Sequence, residues 1–177
     1  MPSPLHIRAA GAADAEAIGA IYDEGVRSGV ATFASGPHDA EERRAWLAGR
    51  PARAPVYCGE ADGRVLAWSA LAPFSHRPWY DGVAEYTVYV SSGARGRGVG
   101  LRMLDHLVAA APSFGYWKLV GMILGANAGG LRLARSAGFR VVGTHRAHGR
   151  VAGEWRDVTV VERHLDQVAA VDDHLPS

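Results

Sequence analysis

Apolar positions recur in two rhythms along this chain, one of period two and one of about 3.6. Leu5 to Ala9 alternates and predicts a first strand. Ile18, Ile21, Tyr22 and Val26 recur at helical spacing between Asp14 and Arg27 and predict a helix. Ser28 to Pro37, with its glycine and proline, reads as a loop. Asp39 is placed to cap a second helix running to about Gly49, with Glu42 as partner in a capping box. Val56–Glu60 and Arg64–Leu71 flank Ala61-Asp62-Gly63 and predict a hairpin on an Asp-Gly turn. Pro73 to Asp81 reads as an aromatic, proline-containing loop, and Val83–Val90, rich in Tyr, Val and Thr, as the strongest strand. A glycine-rich stretch follows it and leads into a helix with Leu101, Leu104, Leu107 and Val108 on one side. Lys118–Leu124 predicts another strand. Asn127 starts a helix that Gly138 terminates, and Phe139–Gly143 and Asp157–Val161 read as the last two strands. The order β-α-α-β-β-β-α-β-α-β-β predicts a single α/β domain over residues 1–165, with helices on both faces of one mixed sheet and a C-terminal tail over 166–177.

Composition narrows this picture. With 177 residues, 48% of them hydrophobic and 21% charged, the chain suits one soluble domain. A net charge of +1 gives no general attraction to nucleic acid or membrane, so any basic site is local. Cys58 is the lone cysteine, which excludes an intrachain disulfide and a thiolate metal cluster. His145 and His148 lack further ligands at metal spacing and read as polar loop histidines, so no metal is expected. The opening Met1-Pro2-Ser3-Pro4 lacks the basic and apolar regions of a signal peptide, and no run reaches the ~20 apolar residues of a membrane span. The expectation is a cytoplasmic protein.

The local basic site is Arg95-Gly96-Arg97-Gly98-Val99-Gly100, between a strand and a helix. Glycine allows positive φ and close backbone approach, and a helix start offers unpaired N–H groups. With Arg95, Arg97 and Arg102 nearby, this loop suits a pyrophosphate better than it suits a plain tight turn. It is not a dinucleotide fingerprint, because Leu101 and Met103 stand where the third glycine belongs, and it lacks the Gly-Lys-Ser/Thr of a P-loop.

The same hexapeptide resembles the acetyl-CoA motif (Q/R)-x-x-G-x-(G/A) of the GNAT N-acetyltransferase superfamily. Asn127 before a helix and Ala137-Gly138-Phe139 after it are similar to that superfamily's second cofactor segment. The segments Thr32-Phe33, Phe74-Ser75-His76-Arg77-Pro78-Trp79-Tyr80, Ala84-Glu85-Tyr86-Thr87-Val88-Tyr89-Val90 and Gly153-Glu154-Trp155-Arg156-Asp157 resemble its phosphinothricin N-acetyltransferase-like branch. The resemblance implies a GNAT fold, acetyl-CoA as co-substrate, a small amino-acid-like amine as acceptor and a homodimer. It also implies that the backbone of Val88, Tyr89 and Val90 pairs with the pantetheine arm.

An ammonium must lose a proton before it can attack a thioester. Glu85, set among apolar and aromatic residues, is the candidate base, against the alternative of a solvated or ion-paired edge glutamate. The resemblance points to the same residue. Arg77 and Tyr80 are candidates to clamp and wall the acceptor, against a surface loop of packed aromatics, and Phe33 is open between pocket wall and core. Asn127 contacts the cofactor or only caps its helix. Ser75 and Val151 stand where the branch has basic residues, and Ala134 where it often has a His or Tyr. The acceptor half is therefore altered, and no acid is assigned to the leaving thiolate. The rival readings are an acetyltransferase acting on protein N-termini or side chains, and a non-catalytic acyl-CoA-binding module.

Overall fold

The computed structural model describes residues 4–34, 36 and 39–165. The tail read at 166–177 and part of the Ser28–Pro37 loop lie outside the described residues. The strands are β1 (His6–Ala9), β2 (Val56–Ala61), β3 (Arg64–Pro73), β4 (Val83–Val90), β5 (Lys118–Leu124), β6 (Arg140–Val151) and β7 (Glu154–His164). The helices are α1 (Ala15–Ser28), α2 (Ala40–Ala48), α3 (Val99–Ala110) and α4 (Ala128–Ser136). The strands form one sheet in the order β1-β2-β3-β4-β5-β7-β6. Every neighbouring pair is antiparallel except β4 and β5. This is a single-domain α/β fold built on a mixed seven-stranded sheet.

Strand alternation sends residues to two cores. On one face Ile18 and Ile21 of α1 pack on Val56, Cys58, Trp68 and Ala70. On the other, Leu104 and Leu107 of α3 and Ala134 of α4 pack with Leu71, Leu119 and Val161. Helices therefore cover both faces, as the element order predicts.

Three local expectations change. The final strands are much longer than Phe139–Gly143 and Asp157–Val161. β6 is an edge strand exposed along nearly its whole length, so no core face imposes alternation on it, and its register with β7 shifts twice. β3 runs through to Pro73, because Ala72 and Pro73 still pair with Glu85 and Ala84. Asp39 caps α2, but its carboxylate accepts from the N–H of Glu41 at 2.9 Å, so the capping box with Glu42 does not form.

The feature that positions the site is the short parallel pairing. β4 and β5 are joined only where Val83, Ala84 and Glu85 face Lys118, Leu119 and Val120. Beyond Glu85 the two strands part, and Tyr86–Val90 keep β3 as their one sheet neighbour. At the parting point the Tyr86 ring lies against Gly121 and leans on Phe139 with ring centroids 4.9 Å apart. A Cβ on Gly121 would sit 2.5 Å from a Tyr86 ring carbon. Gly121→Val is accordingly expected to lose ~1–3 kcal/mol of stability through overpacking. Urea unfolding checks this, and a loss below about 0.5 kcal/mol would show that the ring moves aside freely.

Candidate active site

Where β4 and β5 separate, a cleft of about 540 Å³ opens. Its walls come from Tyr22 of α1, Ala31–Phe33 of the following loop, Glu42, Arg43 and Trp46 of α2, and Trp68 of β3. Glu85 to Tyr89 of β4, Gly121 to Leu124 of β5, and Asn127, Gly130 and Leu133 at α4 complete them. Such a concave site, mostly apolar with few polar groups, is the usual form of a small-molecule site.

Glu85 stands at the apex, on the last paired position of β4. It is half-buried, and its side chain has no hydrogen bond or ion pair with any described residue. Burial pushes its carboxyl above the ordinary glutamate value. It is thus an unpaired carboxylate in the cleft and not a solvated edge residue.

The glycine loop follows the far end of β4. Gly96 and Gly98 have φ of 74° and 77°, a conformation that costs a side chain dearly. Gly98 occupies the N-cap of α3 in this left-handed conformation. No backbone acceptor takes the N–H groups of Gly96, Arg97, Gly98, Val99 and Gly100 among the described residues. Arg95 and Arg97 are both exposed. Arg95 Nε donates to the Val90 carbonyl at 3.0 Å and so ties the loop to the strand. Arg102 does not serve the loop as its charge suggests, because Arg102 Nη2 donates to the Leu5 carbonyl at 2.7 Å beside β1.

Asn127 does cap α4, with its side-chain oxygen accepting from Gly130 N–H at 2.8 Å, and it also lines the cleft. Phe33 is a wall residue, and its ring lies on Gly149 of β6. Arg77 and Tyr80 are not brought to the cleft. Arg77 precedes and Tyr80 ends a single helical turn at Pro78–Tyr80, both exposed, and Tyr80 packs edge-on against Phe74 and Trp79. In this chain they stand on a surface loop whose aromatic rings pack on one another. Ala134 is fully buried in the core under α4 and offers no proton.

The sequence reading missed the aromatic wall. Trp68 stacks on Tyr89 with centroids 5.0 Å apart, Tyr22 tilts onto Tyr89 at 5.1 Å, and Trp46 meets Trp68 edge-on at 5.7 Å. Arg43 sits among them, 4.8 Å over the Tyr22 ring and 5.0 Å over that of Trp46. One signal was available: Arg43 precedes Trp46 and Leu47 by three and four residues, which puts it on the apolar side of α2. Behind the wall, burial holds the Cys58 thiol up at about 12, too high for a ready nucleophile. Among the described residues no cluster of three His, Cys, Asp or Glu could hold a metal, and no helix is long and apolar enough to cross a membrane.

These features fit acetyl-CoA. A loop of free N–H groups suits its pyrophosphate, and the β4 edge released by β5 suits a chain of amides. The cleft at the apex leaves room for an acceptor beside Glu85. Comparison with known proteins agrees. A family model described as the acetyltransferase (GNAT) family matches residues 18–139. An L-methionine sulfoximine/L-methionine sulfone acetyltransferase of Pseudomonas aeruginosa is 32% identical, over 90% of this chain and 94% of its own. A GNAT superfamily phosphinothricin acetyltransferase from Sinorhizobium meliloti, solved in complex with acetyl-CoA, is 28% identical, with a TM-score of 0.86 over 97% of this chain and 96% of that one. A ribosomal-protein-alanine N-acetyltransferase from Brucella melitensis is 33% identical, with a TM-score of 0.87 over 91% of this chain and 100% of that one. On this likeness, and on a glycine loop and parted strands that suit the co-substrate, the chain belongs to the acetyltransferase (GNAT) family and is an acetyl-CoA-dependent acetyltransferase.

Proposed function

We propose that the chain acetylates the primary amine of a small amino-acid-like molecule by direct attack, with Glu85 as general base. The observation that carries this reading is the position of Glu85. It is an unpaired, half-buried carboxylate with a raised pKa, at the apex of the parted strands and in the cleft that the aromatic wall encloses. Glu85 takes a proton from the acceptor ammonium. The freed amine attacks the thioester carbonyl carbon, the C–N bond forms, the C–S bond breaks with its electron pair leaving on sulfur, and the nitrogen's surplus proton passes to solvent or to the departing thiolate. N–H groups of β4 are available to steady the developing oxyanion. A thiol with a pKa near ~8.5 leaves as thiolate with little help, so the lack of a proton donor at Ala134 is tolerable. The buried, high-pKa Cys58 supports direct transfer over an acyl-cysteine route.

The similarity to acetyltransferases of methionine sulfoximine and phosphinothricin supports a small acceptor. The likeness to a ribosomal-protein-alanine acetyltransferase favours a peptide N-terminus as the second reading. A screen of free amino acids and their analogues against short peptides separates the two. Ser75 and Val151 lack the positive charges expected to attract a phosphinate, so phosphinothricin itself should be a poor acceptor, with kcat/KM below ~10⁴ M⁻¹s⁻¹. A higher value would contradict this part of the reading. The same reading includes cytoplasmic location and a homodimer. The β6–β7 hairpin, with Val142 and Trp155 exposed at 51% and 60%, offers an apolar surface for the second copy. Light scattering at twice the chain mass would support that pairing, and a monomer at tens of micromolar would refute it.

Two further outcomes test the catalytic core. Gly98→Val forces a β-branched residue into positive φ, and acetyl-CoA affinity should fall by about tenfold or more while the fold survives. An unchanged Kd by calorimetry would remove the loop from the cofactor site. Glu85→Gln keeps the shape but not the basicity, and kcat should drop ~10²–10⁴-fold with cofactor affinity nearly unchanged. Because burial raises the Glu85 pKa, the wild-type rate should fall with decreasing pH at a value above the ordinary ~4.3. The variant should lose that limb. Retention of more than about half the wild-type kcat, with chemistry rate-limiting, would make Glu85 structural.

A further inference from the structure

One wall of the cleft carries hydrogen-bond donors with nothing to receive them. Arg43 is only 6% exposed. Its Nε and Nη2 are sealed from solvent without a hydrogen-bond partner, and no carboxylate of a described residue forms an ion pair with it. Asp23 and Glu42 act on it only through space. The guanidinium carbon lies over the Tyr22 and Trp46 rings, which eases the burial of charge but supplies no acceptor for Nε and Nη2. Trp68 Nε1, on the same wall, is likewise buried without an acceptor, and the Trp46 ring bridges Trp68 and Arg43. Unpaired buried donors are rare because each costs its full desolvation, and a buried cation costs more. A guanidinium with two unused donors suits an anion with two acceptor oxygens, and an indole N–H on the same wall suits it too.

We infer that Arg43, assisted by Trp68 Nε1, anchors the α-carboxylate of the acceptor and so selects amino acids over plain amines. This rests on the proposed function, which places the acceptor's amine at Glu85 in the same cleft. An α-amino acid carries its ammonium and carboxylate on one carbon, and the cleft carries an unpaired carboxylate and an unpaired guanidinium for them. The geometry assigns the clamp role to this helix-borne arginine and not to Arg77, which lies on the surface loop.

The test uses the full chain with two probes, L-methionine sulfoximine and the same molecule with its carboxylate capped as the carboxamide. Wild type should prefer the acid, by kcat/KM, about tenfold or more. In Arg43→Met that preference should fall about 10- to 100-fold, mainly through KM for the acid, with the KM for acetyl-CoA holding. Comparing the ratio between enzymes cancels the intrinsic difference between the two amines. Arg43→Lys, which keeps the charge and the stem, should restore part of the preference and guards against a misfolded methionine variant. A wild type with no preference for the acid overturns the inference. So does a ratio unchanged within about twofold in a variant that melts like wild type, because the arginine is then a stacked structural residue with a trapped water. If wild type acetylates peptides but neither probe, the proposed small acceptor falls first and this inference falls with it.

Discussion

The site depends on the point where β4 and β5 stop pairing. Three residues of each strand are joined, and from Tyr86 onward β4 has a neighbour on one side only. Backbone N–H and C=O groups inside a protein must find partners, so an opened parallel pair requires either water or a ligand along the freed edge. The parting is held open by packing, since the Tyr86 ring occupies the surface of Gly121 and is backed by Phe139. Everything functional is then placed by distance along one strand. Glu85 falls at the apex, Val88–Val90 on the freed edge, and the glycine loop just beyond the end.

The charges of the site follow a rule of separation. The loop offers an anion backbone N–H groups and exposed arginines, where solvent keeps the cost of charge low. The cleft instead buries two ionisable groups of opposite sign, Glu85 and Arg43, and they do not pair with each other. A direct ion pair would satisfy both and leave nothing for a ligand. Held apart, each keeps an unmet need, and a zwitterion is the molecule that meets both needs at once.

The fold and the acetyl-CoA co-substrate were legible in the sequence for local reasons. A Val, Tyr and Thr strand runs into alternating glycine and arginine and then into an amphipathic helix, so propensity, turn chemistry and charge agree within about 20 residues. The aromatic wall of the cleft was not legible. Arg43 on a helix reads as a solvated charge until rings from α1 and β3 close around it, and those rings are far away in sequence. Arg77 has the opposite history, because its dense aromatic context reads as a pocket while those rings pack on one another at the surface. The length of β6 and β7 was hidden because an exposed edge hairpin has no buried face to write a period into its sequence, and Ala147 takes a positive φ where the register slips.

This division of labour bears on how acceptor preference can change. Neither Ser75 nor Val151 lines the cleft, so the two lost charges lie in segments whose exchange leaves the cores intact. The aromatic wall is different. Trp68 is at once a wall residue and part of the hydrophobic cluster under α1, and it stands on a strand bonded on both sides. A group held by a helix and a central strand keeps its position better than one held by a loop, and moving it disturbs stability as well as binding. Recognition through Arg43 and Trp68 therefore ties the acceptor to the core, while recognition through the surface loop can drift. The part of the site that the sequence resemblance marks as altered is the part free to alter, and the part it leaves unmarked is the part that the fold itself holds in place.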